Sequence, residues 1–280
     1  MRDLDVRILT ETTARLLVES NYRIPPDILA GLRRAATAEE SELGRQTLEH
    51  LIHNYEVAAA EQLPVCQDSG ITVVLLEIGQ EVHWTGGNLQ EAIFEGITQG
   101  TKQGYLRWSL VGDPLARRNP GGTPPGVIHY DIVPGDGVRL TVASKGFGAE
   151  NMSALRMFTP ADGIPAVKQF VVDTIDRAGA NACPPVVVGV GIGGTFEKSA
   201  ILSKKALFRE LGSPNPDAML DGLEKELLER ANRLGIGPQG YGGDTTSLGI
   251  HVIAYPCHIT SLPVAVTIEC HAHRHKEATL

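Results

Sequence analysis

Apolar positions return at helical spacing along the start of the chain: Val6, Leu9, Ala14, Leu16 and Leu17 within residues 5–19, then a run from Ile28 to Ala36 opened by Ile24-Pro25-Pro26-Asp27. A third helix is expected from Ser41 to Gln62, where Ser41 can cap and Leu43, Leu48, Leu51, Ile52, Val57 and Ala58 keep to one face. The pattern then changes. Leu63 to Gly70, bracketed by Pro64 and Gly70, is an irregular loop, and Ile71 to Ile78 is a continuous apolar run of the buried-strand type. Asn88 to Gly104 forms an amphipathic helix with Asn88 as N-cap and Gly104 just past its end. Tyr105 to Gly126 is a long turn-rich loop, and Val127–Val133 with Val138–Ser144, joined by Pro134-Gly135-Asp136-Gly137, predicts a β-hairpin. A helix over 160–179, a buried strand from Val186 to Val190, helical runs from Thr195 to Arg209 and Asp217 to Leu234, and a strand from Leu248 to Ala254 follow. The fold class expected is mixed α/β (α+β), as one domain over 1–280: a helical segment over 1–62, then a mixed sheet flanked by helices over 63–280.

Composition narrows the partners. With 280 residues the chain can bury a full core, and a formal net charge of −8 argues against a nucleic-acid or anionic-membrane surface. An anionic substrate must therefore meet locally placed cations, for which Arg107, Arg117 and Arg118 in the long loop are candidates. No apolar stretch approaches the ~20 residues that span a bilayer, and the start of the chain has no secretory apolar core. A cytoplasmic protein is expected, with no membrane partner, whose four cysteines are thiols or metal ligands.

Chemistry-bearing residues collect at a few loops. Cys66-Gln67-Asp68 sets a thiol, an amide and a carboxylate side by side ahead of the Ile71 strand. Cys66, Cys183 and Cys270 each sit at a loop-to-strand junction, and three converging thiolates suit either a tetrahedral zinc site or a four-iron cluster with one iron lacking a protein ligand. The spacing leaves both open. Cys257 is expected to be a small buried side chain, and His271, His273 and His275 to lie on a frayed tail. Lys145-Gly146-Phe147-Gly148 can bring main-chain N–H groups to an anion or simply enter a helix. Gly189-Val190-Gly191-Ile192-Gly193-Gly194 fits a dinucleotide fingerprint, but Cys183-Pro184-Pro185 ahead of it is not expected of such a site, which leaves close helix-to-strand packing or an anion contact.

Cys66-Gln67-Asp68-Ser69-Gly70, Lys145-Gly146-Phe147-Gly148-Ala149-Glu150-Asn151, Ala182-Cys183-Pro184-Pro185, Gly191-Ile192-Gly193-Gly194-Thr195 and the run from His258 to Cys270 occur in one order. Together they resemble the class I, iron–sulfur-dependent fumarate hydratase and L(+)-tartrate dehydratase family, from about Leu43 to the C-terminus, and most nearly its separate alpha subunits. Pro120-Gly121-Gly122 departs from the more polar stretch expected after Arg107. The resemblance implies that Cys66, Cys183 and Cys270 hold a [4Fe-4S] cluster whose fourth iron meets a small dicarboxylate. It implies catalytic roles for Asp68 and His258 and substrate contacts for Gln67, Arg107, Lys145, Gly146 and Gly148. The activity implied is reversible hydration of fumarate to (S)-malate, a tricarboxylic acid cycle reaction, with dehydration of L(+)-tartrate to oxaloacetate as the alternative. A beta subunit would supply the remaining active-site residues, in a heterotetramer or around a homodimer of alpha chains. Readings of another class are a zinc hydrolase and a non-catalytic metal- or redox-sensing module.

Overall fold

The computed structural model describes residues 1–118 and 125–280, so the Pro120-Gly121-Gly122 departure lies outside the described residues. In chain order the elements are strand β1 (Arg2–Asp5), helices α1 (Arg7–Tyr22), α2 (Pro26–Ala38) and α3 (Glu42–Glu61), strands β2 (Ile71–Gly79) and β3 (Val82–Thr85), and helix α4 (Leu89–Gln103). Strands β4 (Val127–Val133) and β5 (Val138–Lys145), the short helix α5 (Phe147–Glu150), strand β6 (Ala154–Phe158), helix α6 (Gly163–Ala178) and strand β7 (Val186–Gly193) come next. Helices α7 (Phe196–Ala206) and α8 (Ala218–Asn232) and strands β8 (Ser247–Tyr255), β9 (Leu262–Glu269) and β10 (Arg274–Thr279) complete the mixed α/β class that the pattern predicted. Contacts divide the chain into two compact units, one of Met1–Pro25, Asn54–Phe147 and Arg274–Leu280, the other of Pro26–His53 and Gly148–His273. Among the described residues no helix is long and apolar enough to cross a membrane.

The first unit holds a four-stranded sheet of order β10-β5-β2-β4. The expected hairpin does not form, because β4 and β5 stand on opposite sides of β2, β4 parallel to it and β5 antiparallel. Turn residues specify a reversal but not a partner, and β2, apolar along most of its length, must pair on both edges to satisfy its main chain. The link therefore wraps the end of β2: Gly79 N–H donates to the Gly137 carbonyl and Gln80 N–H to the Val133 carbonyl, both at 2.8 Å. The tail expected to fray is a strand instead, since β10 pairs antiparallel with β5 from Arg274 opposite Ser144 to Thr279 opposite Arg139. Leu9, Leu16, Leu17, Val74, Leu76, Ile93, Ile97, Leu140 and Val142 form the buried core beneath α1 and α4. Asn88 caps α4 as expected, its side chain accepting from Glu91 N–H at 3.1 Å.

The second unit has a sheet of order β6-β9-β7-β8. Strand periodicity sorts the faces of β7: Val186, Val188 and Val190 join residues of α6 and α8 in one core, while the alternate residues Gly189 and Gly191 meet α7. A Cβ on Gly189 or Gly191 would stand 2.0 Å from the carbonyl oxygen of Ser203 or Ser199, respectively. These glycines exist to let a helix backbone lie against a strand, which is the packing expected of the glycine run.

Candidate active site

Two strand ends build the first cluster. Ile71 at the start of β2 pairs with Lys145 at the end of β5, which sets the Cys66–Gly70 loop beside Lys145-Gly146-Phe147. Gly70 has φ +63°, and a Cβ there would lie 2.0 Å from the Lys145 carbonyl oxygen, so the loop fits only with glycine. Asp68 is held at both carboxylate oxygens: Oδ1 accepts from Gly70 N–H at 2.8 Å and Oδ2 from Phe147 N–H at 2.9 Å. Arg107 joins the same loop through its N–H, which donates to Ser69 Oγ at 2.9 Å, and through Nη1, which donates to Gln67 Oε1 at 3.4 Å. Val65, just ahead of half-buried Cys66, donates its N–H to the Asn21 carbonyl at 2.8 Å and accepts from Asn54 Nδ2 at 3.1 Å. Lys145 is buried, with Nζ donating to the Gly146 carbonyl at 3.2 Å. The first unit thus brings Cys66, Gln67, Asp68, Arg107, Lys145 and Gly146 into one loop pair.

In the second unit, Cys183 precedes β7 and Cys270 follows its antiparallel neighbour β9, so both lie at one end of the sheet. His271 N–H donates to the Cys183 carbonyl at 3.3 Å, joining the two segments. Cys183 is exposed and takes the left-handed conformation, φ +52° and ψ +66°, which side chains adopt rarely and at a cost of about 1–3 kcal/mol. Gln239 grips the next residue, its N–H and Nε2 donating to the Pro184 carbonyl at 2.8 and 2.9 Å. Buried Glu39 in turn pins the glycine-dense run that carries Gln239, accepting from Asp244 N–H at 2.8 Å and Thr245 N–H at 2.9 Å. Gly148 belongs here too: a Cβ on it would stand 3.3 Å from the carbonyl oxygen of Asn181, in the turn that leads to Cys183. Neither Gln239 nor Glu39 has a sequence signal beyond the glycines around one and the helix end beside the other.

His258 is placed elsewhere in the second unit. It sits exposed on the loop between β8 and β9, where Nδ1 lies 2.9 Å from Thr260 Oγ1 and 3.3 Å from Thr260 N. The 8 residues of β9 separate this loop from Cys270, roughly 25 Å at the usual rise per strand residue. Cys257, on the same loop, is exposed instead of buried, and its Sγ donates to the Ser261 carbonyl at 3.2 Å. A small apolar thiol would be buried inside the strand, but the chain has already left β8 at Tyr255.

None of the four cysteines is in a disulfide. Among the described residues no group of three or more His, Cys, Asp or Glu side chains is gathered as for a metal ion; Cys66 belongs to the first unit, and Cys183 and Cys270 to the second.

A profile of the fumarate hydratase (Fumerase) family matches residues 10–279, and the chain belongs to that family, whose chemistry is that of a hydro-lyase. The protein named "Putative L(+)-tartrate dehydratase subunit alpha" in Methanocaldococcus jannaschii is 40% identical to it over 272 residues, covering 95% of each chain. The L(+)-tartrate dehydratase subunit alpha of Escherichia coli UTI89 is 34% identical over 273 residues, 96% of this chain and 89% of that one, and its counterpart in strain K12 is 33% identical over the same span.

Proposed function

We propose that the chain is the alpha subunit of a [4Fe-4S]-dependent hydro-lyase of the cytoplasm that interconverts fumarate and (S)-malate together with a beta subunit. The observation that carries the reading is Asp68, a carboxylate immobilised by two main-chain donors, two residues from a thiol and beside the Gln67–Arg107 contact. The donor set fits the cluster: Cys66, Cys183 and Cys270 are thiols on strand-end loops, and three thiolates leave one iron of a cubane without a protein ligand. When bound, such a cluster supplies a Lewis-acidic iron with a place for the departing hydroxyl.

The chain's own residues then divide the remaining work. Asp68 moves the proton of the substrate hydroxyl or water, help typically worth ~10²–10⁴ in rate. Arg107 presents a guanidinium fork to a substrate carboxylate, with Gln67 fixing its direction and Lys145 adding positive charge. Gly146 and Gly148 let main-chain N–H groups approach the substrate without a Cβ between. The base for the neighbouring carbon, and the further cations a dianion needs, are assigned to the beta subunit. His258 stands too far from Cys183 and Cys270 to serve the same thiols. Exposed Phe196, Tyr255 and Ile259 stand at its end of the sheet, apolar side chains of the kind an assembly covers, so His258 is assigned to a site completed by a second alpha chain.

L(+)-tartrate is the second reading, favoured by the names of the relatives in M. jannaschii and E. coli. Anaerobic purification with the beta subunit, iron and sulfide analysis, and turnover of fumarate, (S)-malate and L(+)-tartrate side by side test both. Iron with matching acid-labile sulfide and fumarate hydration are expected. Turnover of tartrate alone would move the assignment to the second reading, and bound zinc without iron would overturn the cluster.

A further inference from the structure

Arg274 opens β10 and heads the largest side chains that are fully buried, at 1% exposure. Burying a guanidinium is costly unless it is well paired, yet among the described residues its contacts are neutral. Nη1 donates to the main-chain carbonyl of Asp68 at 2.6 Å and to Asn21 Oδ1 at 3.2 Å, while buried Nε has no partner. A Cβ on Gly146 would lie 3.4 Å from Arg274 Nη2 and 3.5 Å from Asp68 Oδ2, so the guanidinium and the carboxylate flank the same glycine. Asn21, fully buried at the end of α1, completes the arrangement. Its Nδ2 donates to Ser144 Oγ at 2.7 Å, and its own carbonyl takes Val65 N–H at 2.8 Å. The three residues Cys66-Gln67-Asp68 are therefore held on both flanks, by Asn21 at Val65 and by Arg274 at Asp68, and the two grips are hydrogen-bonded to each other.

We infer that Arg274, acting with Asn21, is a positioning residue that sets the Cys66-Gln67-Asp68 loop in its working geometry, which makes the C-terminal strand part of the active-site framework. The inference rests on the reading of Asp68 as the proton-handling carboxylate. Both hydrogen bonds leave from Nη1, and arginine suits the task because that nitrogen is fixed in a rigid planar group, whereas a lysine ammonium turns freely on a flexible stem. The strand supplies the other half of the rigidity, since pairing of Arg274 with Ser144 fixes the point from which the side chain reaches.

The test uses the cluster-loaded alpha–beta complex carrying Arg274→Ala, Arg274→Lys or Asn21→Ala, with Arg139→Ala, an exposed arginine of the same sheet, as control. Arg274→Ala is expected to lower kcat about 10²-fold, the loss typical when a catalytic group shifts by ~1 Å, with KM little changed and cluster absorbance retained. Added guanidinium should restore part of that kcat, and Arg274→Lys should fall between. Amide hydrogen exchange at Ser69, Gly70 and Phe147 should quicken in Arg274→Ala and Asn21→Ala but not in Arg139→Ala. Wild-type kcat in Arg274→Ala, or a loss that guanidinium does not relieve while those amides keep their protection, would overturn the inference. Should Arg274→Ala fail to fold, wild-type kcat and exchange in both Arg274→Lys and Asn21→Ala would overturn it equally. If the unmodified complex turns over no dicarboxylate, the Asp68 reading fails, and the exchange measurement still decides what Arg274 does.

Discussion

Asp68 has no freedom to adjust, since both of its oxygens face main-chain N–H groups from two different loops. Asparagine keeps the shape but turns an amide N–H₂ toward one of those donors and removes the charge. Asp68→Asn should therefore cost at least a factor of ten in turnover, within the ~10²–10⁴ usual for acid–base groups, while cluster absorbance stays intact; an unchanged rate would remove Asp68 from the mechanism. A second residue matters for stability. His251 is buried against the Ala206 carbonyl at 3.2 Å, and burial first, then nearby Arg209, hold its pKa below the ordinary 6.5, against the smaller opposing pull of Glu224 and Asp27. The fold keeps this ring neutral while the unfolded chain takes a proton below about pH 6.5, so stability falls as pH drops through that value and does not change on this account above it. Urea unfolding at about pH 8 and pH 5.5 should show a larger acid loss in the natural protein than in His251→Gln; equal losses would place the acid sensitivity elsewhere. Asp68 was legible as a candidate because a carboxylate between proline and glycine must lie on a loop. His251 gave no signal, because its burial comes from α7, remote in sequence.

Elements dock by the same logic that placed the glycines. Gly191 of β7 admits the α7 backbone, and the methyl group of Gly191→Ala would sit 2.0 Å from the Ser199 carbonyl oxygen, so the helix must move off the strand. A loss of roughly 1–3 kcal/mol or more is expected, read as a lower melting temperature. Gly222, exposed within α8 with nothing within 4 Å of a Cβ, gives the opposite sign: Gly222→Ala should stabilise by about 0.5–1 kcal/mol. If both substitutions moved the melting temperature the same way, close packing would not be the reason for Gly191. The glycine run carried its packing role in the sequence, because spacing by two on a buried strand points both glycines at one face. Strand partners were less legible. The Pro134 to Gly137 turn is read correctly as a reversal, yet β2 lies between the two strands it connects.

At the scale of the molecule, the residues proposed to act are found in both compact units. Asp68, Arg107 and Cys66 belong to the first, and Cys183, Cys270 and Gly148 to the second. The relatives are named as alpha subunits, and the proposed base and additional cations are assigned to a partner. The chain expressed alone under anaerobic conditions should take up iron and sulfide yet show no hydro-lyase turnover, with activity appearing when the beta subunit is added. Full turnover by the chain alone would end the two-subunit proposal.

What the sequence determined by itself was local: where apolar spacing changes from helical to strand-like, where Asn88 caps, and which loop carries Cys66-Gln67-Asp68. These depend on neighbours within a few positions, so periodicity and turn chemistry suffice. Only the tertiary structure decided that the last strand joins the first unit's sheet, that Arg274 and Asn21 grip the Cys66-Gln67-Asp68 loop, and that His258 stands at the far end of a strand from Cys270. Asp68 and Arg274 are 206 positions apart, and their hydrogen bond exists because β2, β5 and β10 are satisfied by one another's main chains. A side chain's burial and its partner are properties of that pairing, which no local window contains.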